Sequence, residues 1–296
     1  MDWRRLPAAE LEAHYNPRIA VPDFARHFEA YKTRSAESHA RIGGQFDLRY
    51  GPGPLQTYDL HAPAQATGDG AKPGQAKNAP LLIVVHGGYW RGLDKSLHGF
   101  LVEPFFKAGA VVANINYDLC PAVSLDAIVR QTQEAIAHLA AKASSFGADP
   151  ARLHLLGHSA GAHLVAAAYA LPWPADLGAR PKPASLTLVS GIYDPEPVLH
   201  IPVNAEIGLD GATARRNNVI AQPLRLPQSR VLVAVGDAEP ASWIEQSLDF
   251  HAACRDVGTP ADLMRISGGN HFSILYALAE AKQPLASALI RMMGFS

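Results

Sequence analysis

The stretch "RLHLLGHSAGAHLVAAAYAL", residues 152–171, decides the fold. Its first part, 152–159, is a short apolar run of the kind that forms a buried strand. Its second part, from 160, is rich in alanine, leucine and valine and reads as a helix. Between them "GHSAG" (157–161) matches G-x-S-x-G. In that pattern the serine occupies a very tight strand-to-helix turn, with its hydroxyl projecting from the carboxyl edge of a sheet. Gly157 and Gly161 remove side chains that would block the turn. The following helix directs its positive end at the serine. Ser159 is therefore the candidate nucleophile.

Working outward, further apolar runs occur at "LQTYDLHAP" (55–63), "PLLIVVHGG" (80–88), "AVVANINYD" (110–118), "SLTLVSGIYD" (185–194), "RVLVAVGD" (230–237) and "ADLMRISGG" (261–269). They are continuous rather than alternating, as buried parallel strands are. Helical patterns separate most of them. Ser124 is placed to cap a helix from Leu125, and "WIEQSLDFHAACRDVG" (243–258) ends at a glycine stop. In the last helical stretch, 273–294, Pro284 marks a kink or break. The alternation predicts an α/β fold: one mostly parallel, doubly wound sheet with helices on both faces, in a single domain over 1–296. Residues 1–44, helical and polar, and 195–228, rich in Pro, Arg and Asn, are expected to fold over the top as cap segments. Residues 64–79 read as a flexible surface loop.

Composition supports a sizeable core: 296 residues, 48% apolar and 18% charged. A formal net charge of −1 with no long basic run gives no electrostatic case for nucleic acid or an anionic membrane. No apolar stretch approaches the ~18 residues of a membrane span. The start, "MDWRRLPAAELEAHYNPR", lacks the apolar segment of a secretory signal. Cys120 and Cys254 are too few for a disulfide framework and read as small apolar filler. A cytoplasmic location is expected.

A serine needs a base, and the base an orienting acid, here in the chain order Ser, Asp or Glu, His. "GGNHFS" places His271 in the loop after the last strand. The loop after 230–237 offers two acids. Glu239 is preferred for its distance past the strand, and Asp237 is the alternative, suited also to bonding backbone in the turn. Asp194 reads as a loop-shaping acid. "HGGYW" (86–90) follows an earlier strand, where glycines let backbone N–H groups approach a substrate. The expected oxyanion donors are the N–H groups of Gly88, Tyr89 and Ala160, with His86 bracing the loop from beneath. Trp90, Tyr193 and Phe272 are candidate pocket walls. His154, His158 and His163 belong to the strand, the turn and the helix, and read as packing residues. No metal or cofactor motif is present.

Together "HGGYW", "GHSAGAHL" (157–164) and "GGNHFSI" (268–274) resemble the kynurenine formamidase (arylformamidase) branch of the α/β-hydrolases. "NYDLCP" (116–121), "SGIYD" (190–194) and "EPASWIEQS" (239–247) add to the likeness, and "HYNPR" (14–18) extends it towards the amino terminus. The resemblance implies an α/β-hydrolase fold and a metal-free serine hydrolase with Glu239 as its acid. Such an enzyme cleaves N-formyl-L-kynurenine to formate and kynurenine through a formyl-enzyme. It also implies activity on small esters and a homodimer. A carboxylesterase or amidase on short acyl groups is the alternative. A non-catalytic binding module is an alternative of another class, disfavoured by the intact Ser159, Glu239 and His271.

Overall fold

The computed structural model describes residues 3–63 and 78–296. Eight strands form one sheet: β1 (Gln45–Arg49), β2 (Thr57–His61), β3 (Ala79–Val85), β4 (Val111–Ile115), β5 (Ala148–His158), β6 (Pro183–Val189), β7 (Arg230–Gly236) and β8 (Ala261–Ile266). Their spatial order is β1-β2-β4-β3-β5-β6-β7-β8. β1 and β2 run antiparallel to their neighbours, and every pairing from β4 to β8 is parallel. β1 has no counterpart in the apolar pattern. It is an edge strand with a largely exposed face, so no buried run announces it.

Ten helices accompany the sheet among the described residues: α1 (Ala8–Tyr15), α2 (Pro17–Ala20), α3 (Phe24–Ile42), α4 (Glu103–Ala108), α5 (Leu125–Lys142), α6 (Ala160–Ala170), α7 (Asn204–Ile207), α8 (Gly211–Arg216), α9 (Ala241–Asp256) and α10 (Pro284–Met292). Pro284 opens α10 after a separate 3₁₀ turn at Ser273–Ala277, because a proline is tolerated in the first turn of a helix but not inside one. Ser124 caps α5 by accepting the Ala127 N–H at 3.2 Å.

The continuous apolar strands serve two cores at once. Leu81, Ile83 and Val85 of β3 join the core under α5, α6 and α9, while Leu82 and Val84 join the core with α4 and α10. Successive side chains leave a strand on opposite faces, so a strand covered on both sides must be apolar throughout.

The amino-terminal helices reach the loops at the carboxyl edge. Tyr31 of α3 stacks on Phe100 with ring centroids 4.9 Å apart, and its hydroxyl donates to the Phe272 carbonyl at 2.5 Å. Residues 195–228 hold α7 and α8. They are more than a lid, since Val198, Ile207, Leu209, Val219 and Leu224 are buried in the same core as α5 and α6. The loop expected at 64–79 lies, up to residue 77, outside the described residues.

Candidate active site

Ser159 sits between β5 and α6 at φ +56° and ψ −122°, a conformation that costs a non-glycine residue about 1–3 kcal/mol. The surroundings hold it there. Its N–H donates to the Val189 carbonyl at 2.8 Å. A Cβ on Gly161 would meet the Val85 carbonyl oxygen at 2.1 Å, so only glycine lets α6 start this close to β3. Strain and close approach together lift the hydroxyl above the sheet edge.

His271 comes from the loop after β8 and is buried. Its Nε2 lies 2.9 Å from Ser159 Oγ and its Nδ1 lies 2.7 Å from Glu239 Oε2. A carboxylate only accepts, so Nδ1 carries the ring proton and Nε2 presents its lone pair to the serine hydroxyl. The other Glu239 oxygen accepts the Gly236 N–H at 2.8 Å and the Ser190 hydroxyl at 2.5 Å. The carboxylate is thus fixed at both ends. Asp237 does not reach the ring. It is exposed and accepts the Gly268 N–H at 2.6 Å, which ties the β7 and β8 loops together. Asp194 accepts the Glu196 N–H at 3.0 Å, and burial raises its pKa. Trp243 packs on the His271 ring with centroids 4.3 Å apart.

The loop after β3 lies against this group. Gly88 has φ +122°, and a Cβ there would meet the Gly92 carbonyl oxygen at 1.9 Å. Tyr89 and Trp90 follow at φ +56° and +58°. The turn is held from three sides. His86 contacts the Gly87 carbonyl at 2.7 Å and the Asn116 side chain at 2.8 Å, and stacks on Tyr117 at 4.3 Å. Burial holds the His86 pKa below the usual histidine range. The Tyr89 hydroxyl donates to the Tyr15 carbonyl. Among the described residues no acceptor takes the backbone N–H of Gly88, Tyr89 or Ala160. These are three unpaired donors beside the serine, the last at the positive end of α6.

A cavity opens over Ser159 and His271, with Gly88, Tyr89 and Phe272 in its wall. Two of the expected wall residues are elsewhere. Trp90 is fully buried beneath the loop, edge-on to His163 at 5.1 Å. Tyr193 is fully buried and stacked on Phe250 at 4.1 Å. Both aromatic side chains turned inwards to fill core volume. His98, His158, Arg18 and Arg91 line the cavity without having been singled out for it. His158 contacts the His271 carbonyl at 2.9 Å through Nε2, which makes that nitrogen the donor and holds the loop. Burial pushes its pKa well down, and that of His98 down to about 3. Ser190 was also not anticipated. A small polar residue after β6 has no spacing signature, although "SGIYD" already marked the stretch. Among the described residues no group of three or more His, Cys, Asp or Glu side chains is placed to hold a metal ion. No helix among them is long and apolar enough to cross a membrane.

Against this geometry, kynurenine formamidase of Danio rerio is 30% identical over 305 aligned positions, covering 100% of this chain and 99% of that one. The chain belongs to the kynurenine formamidase family. The Salmo salar member is 29% identical over 99% of both chains. The BD-FAE family matches residues 71–171, the part that carries the loop after β3 and the nucleophile turn. Among solved structures, a Silicibacter sp. tm1040 protein with a provisional thioesterase label superposes with TM-score 0.77 at 25% identity, covering 96% of this chain and 99% of that chain. The chain therefore has the α/β-hydrolase fold.

Proposed function

We propose that the protein is a serine hydrolase that cleaves N-formyl-L-kynurenine to kynurenine and formate. The observation that carries the reading is the continuous chain Ser159–His271–Glu239, with contacts of 2.9 and 2.7 Å, beside three N–H groups that no acceptor takes among the described residues, in a chain with full-length formamidase relatives.

In this reading Ser159 Oγ attacks the formyl carbon while its proton passes to His271 Nε2. The carbonyl oxygen becomes an oxyanion among the N–H groups of Gly88, Tyr89 and Ala160. A donor so placed lowers the barrier by about 3 kcal/mol. The C–N bond breaks and the imidazolium gives its proton to the leaving arylamine. Water then attacks the formyl-enzyme, with His271 again the base, releasing formate and restoring the serine. Glu239 keeps the ring in the required tautomer and stabilises the imidazolium. The formyl group is the smallest acyl group, so the acyl side needs little space. The aryl side packs against Phe272. The buried free thiols of Cys120 and Cys254 suit a reducing cytoplasm, the location included in this proposal.

The test is turnover of N-formyl-L-kynurenine, with kynurenine and formate released in equal amounts and lost in Ser159→Ala. Hydrolysis of short aryl esters with no formamide turnover would replace this reading with a carboxylesterase. No turnover of either, and no adduct with a fluorophosphonate at Ser159, would leave a binding module.

A further inference from the structure

The wall of the cavity contains two arginines, Arg18 and Arg91, and no aspartate or glutamate. They come from distant parts of the chain: Arg18 from α2 in the amino-terminal segment, Arg91 from the residue after "HGGYW". Arg91 pairs with Glu206 at 2.6 Å, but the Glu206 side chain is 62% exposed and its charge is screened by solvent. The Nε of Arg91 is buried and takes no partner. Arg18 has no carboxylate in bridging distance among the described residues. Its guanidinium lies over the rings of Phe24 and Phe28, 5.1 and 5.8 Å from their centroids. Its pKa is lowered, first by burial and then by Arg91, with Glu206 opposing the shift. Arg18 is exposed and Arg91 largely buried, and the two like charges share one wall that keeps unused donors. Among the described residues Glu206 is the one carboxylate paired with these two cations, and a substrate carboxylate matches a guanidinium fork left with free donors.

We propose that Arg18 and Arg91 form a carboxylate-binding subsite at the cavity mouth, so that the preferred substrates are aryl formamides whose amine part carries a carboxylate. The inference rests on the formamidase reading for the reacting bond. The carboxylate preference is a property of the wall alone. It assigns the amino-terminal segment a part in substrate choice, since α2 supplies one of the two cations.

The wild-type enzyme is expected to favour N-formyl-L-kynurenine over its methyl ester by about tenfold in kcat/KM, mainly through KM, the scale of a charge-assisted hydrogen bond. Arg18→Gln and Arg91→Gln each erase most of that ratio. Arg91 adjoins a strained loop, so Arg18→Gln, on the cap, keeps the test open if the other variant misfolds. Equal use of acid and ester by the wild type, or an equal loss on both in Arg18→Gln, would overturn the subsite. An aryl acetate with a carboxylate on its leaving phenol, beside its methyl ester, separates the two readings. Preference for the acid there without formamide turnover keeps the subsite and removes the formamidase reading. In Ser159→Ala protein, L-kynurenine should bind about tenfold more tightly than kynuramine, its decarboxylated counterpart. Equal binding would overturn the proposal without any turnover being measured.

Discussion

Glu239 and His271 meet at 2.7 Å inside the protein, and the carboxylate has no freedom to leave, because Gly236 and Ser190 hold its second oxygen. The acid thus acts from a fixed position on the one ring nitrogen that must stay protonated.

Replacing that acid is expected to be severe. Glu239→Ala should lower kcat by roughly 10³–10⁴-fold with little change in KM, since a ring in the wrong tautomer or orientation cannot take the serine proton. Asp237→Ala loses only a surface turn bond, worth about 1 kcal/mol of stability, and keeps most of its activity. Ser190→Ala should fall between the two and act on kcat. Steady-state kinetics on the three variants decides it, and a near-dead Asp237→Ala would contradict the geometry.

The nucleophile turn predicts an inverted stability order. Ser159→Ala and Ser159→Gly both lose the hydroxyl and should be inactive. At φ +56° alanine keeps the backbone strain and glycine relieves it. Ser159→Gly should therefore be the more stable by about 1 kcal/mol, against the usual preference for alanine. Thermal or urea unfolding of the pair measures this, and an alanine variant at least as stable would mean that the turn is not strained.

Gly161→Ala should damage the fold as well as the site. Its Cβ would fall 2.1 Å from the Val85 carbonyl oxygen, so α6 would have to move off β3. A loss on the order of 3 kcal/mol is expected, the upper range for overpacking, with kcat falling as the Ala160 N–H shifts. A denaturant midpoint equal to wild type would show that the helix start has room.

Acid should destabilise the protein before its carboxylates titrate. Burial pushes the pKa of His98 down to about 3 and those of His154 and His163 down to about 4. Unfolded, each would titrate near 6.5. The unfolded chain therefore binds more protons below about pH 6.5, and stability is complete above that value. It falls as pH drops towards 3–4, by up to about 1.4 kcal/mol per pH unit for each histidine. Urea midpoints at pH 7.5 and 5.5 test this, and equal midpoints would contradict it.

The readable parts of the molecule were those encoded locally. Val84 and Leu156 stand in runs apolar on both faces, and Ser159 stands between glycines where a strand passes directly into a helix. His271 was accessible because chain order and a glycine-rich loop restrict the candidates. Trp90 and Tyr193 show the limit. An aromatic residue near a site declares its volume, not its direction, and both side chains turned into the core. β1 escaped notice because an exposed edge strand needs no apolar run. Arg18 and Arg91 become neighbours only through the tertiary fold, and no local pattern links them.

The Tyr89 hydroxyl holds the carbonyl of Tyr15, and that of Tyr31 holds the carbonyl of Phe272. The first helices therefore grip both flanks of the reacting centre. A protein shortened to start at the sheet would lose both bonds, the one to the loop after β3 and the one to the loop that carries His271.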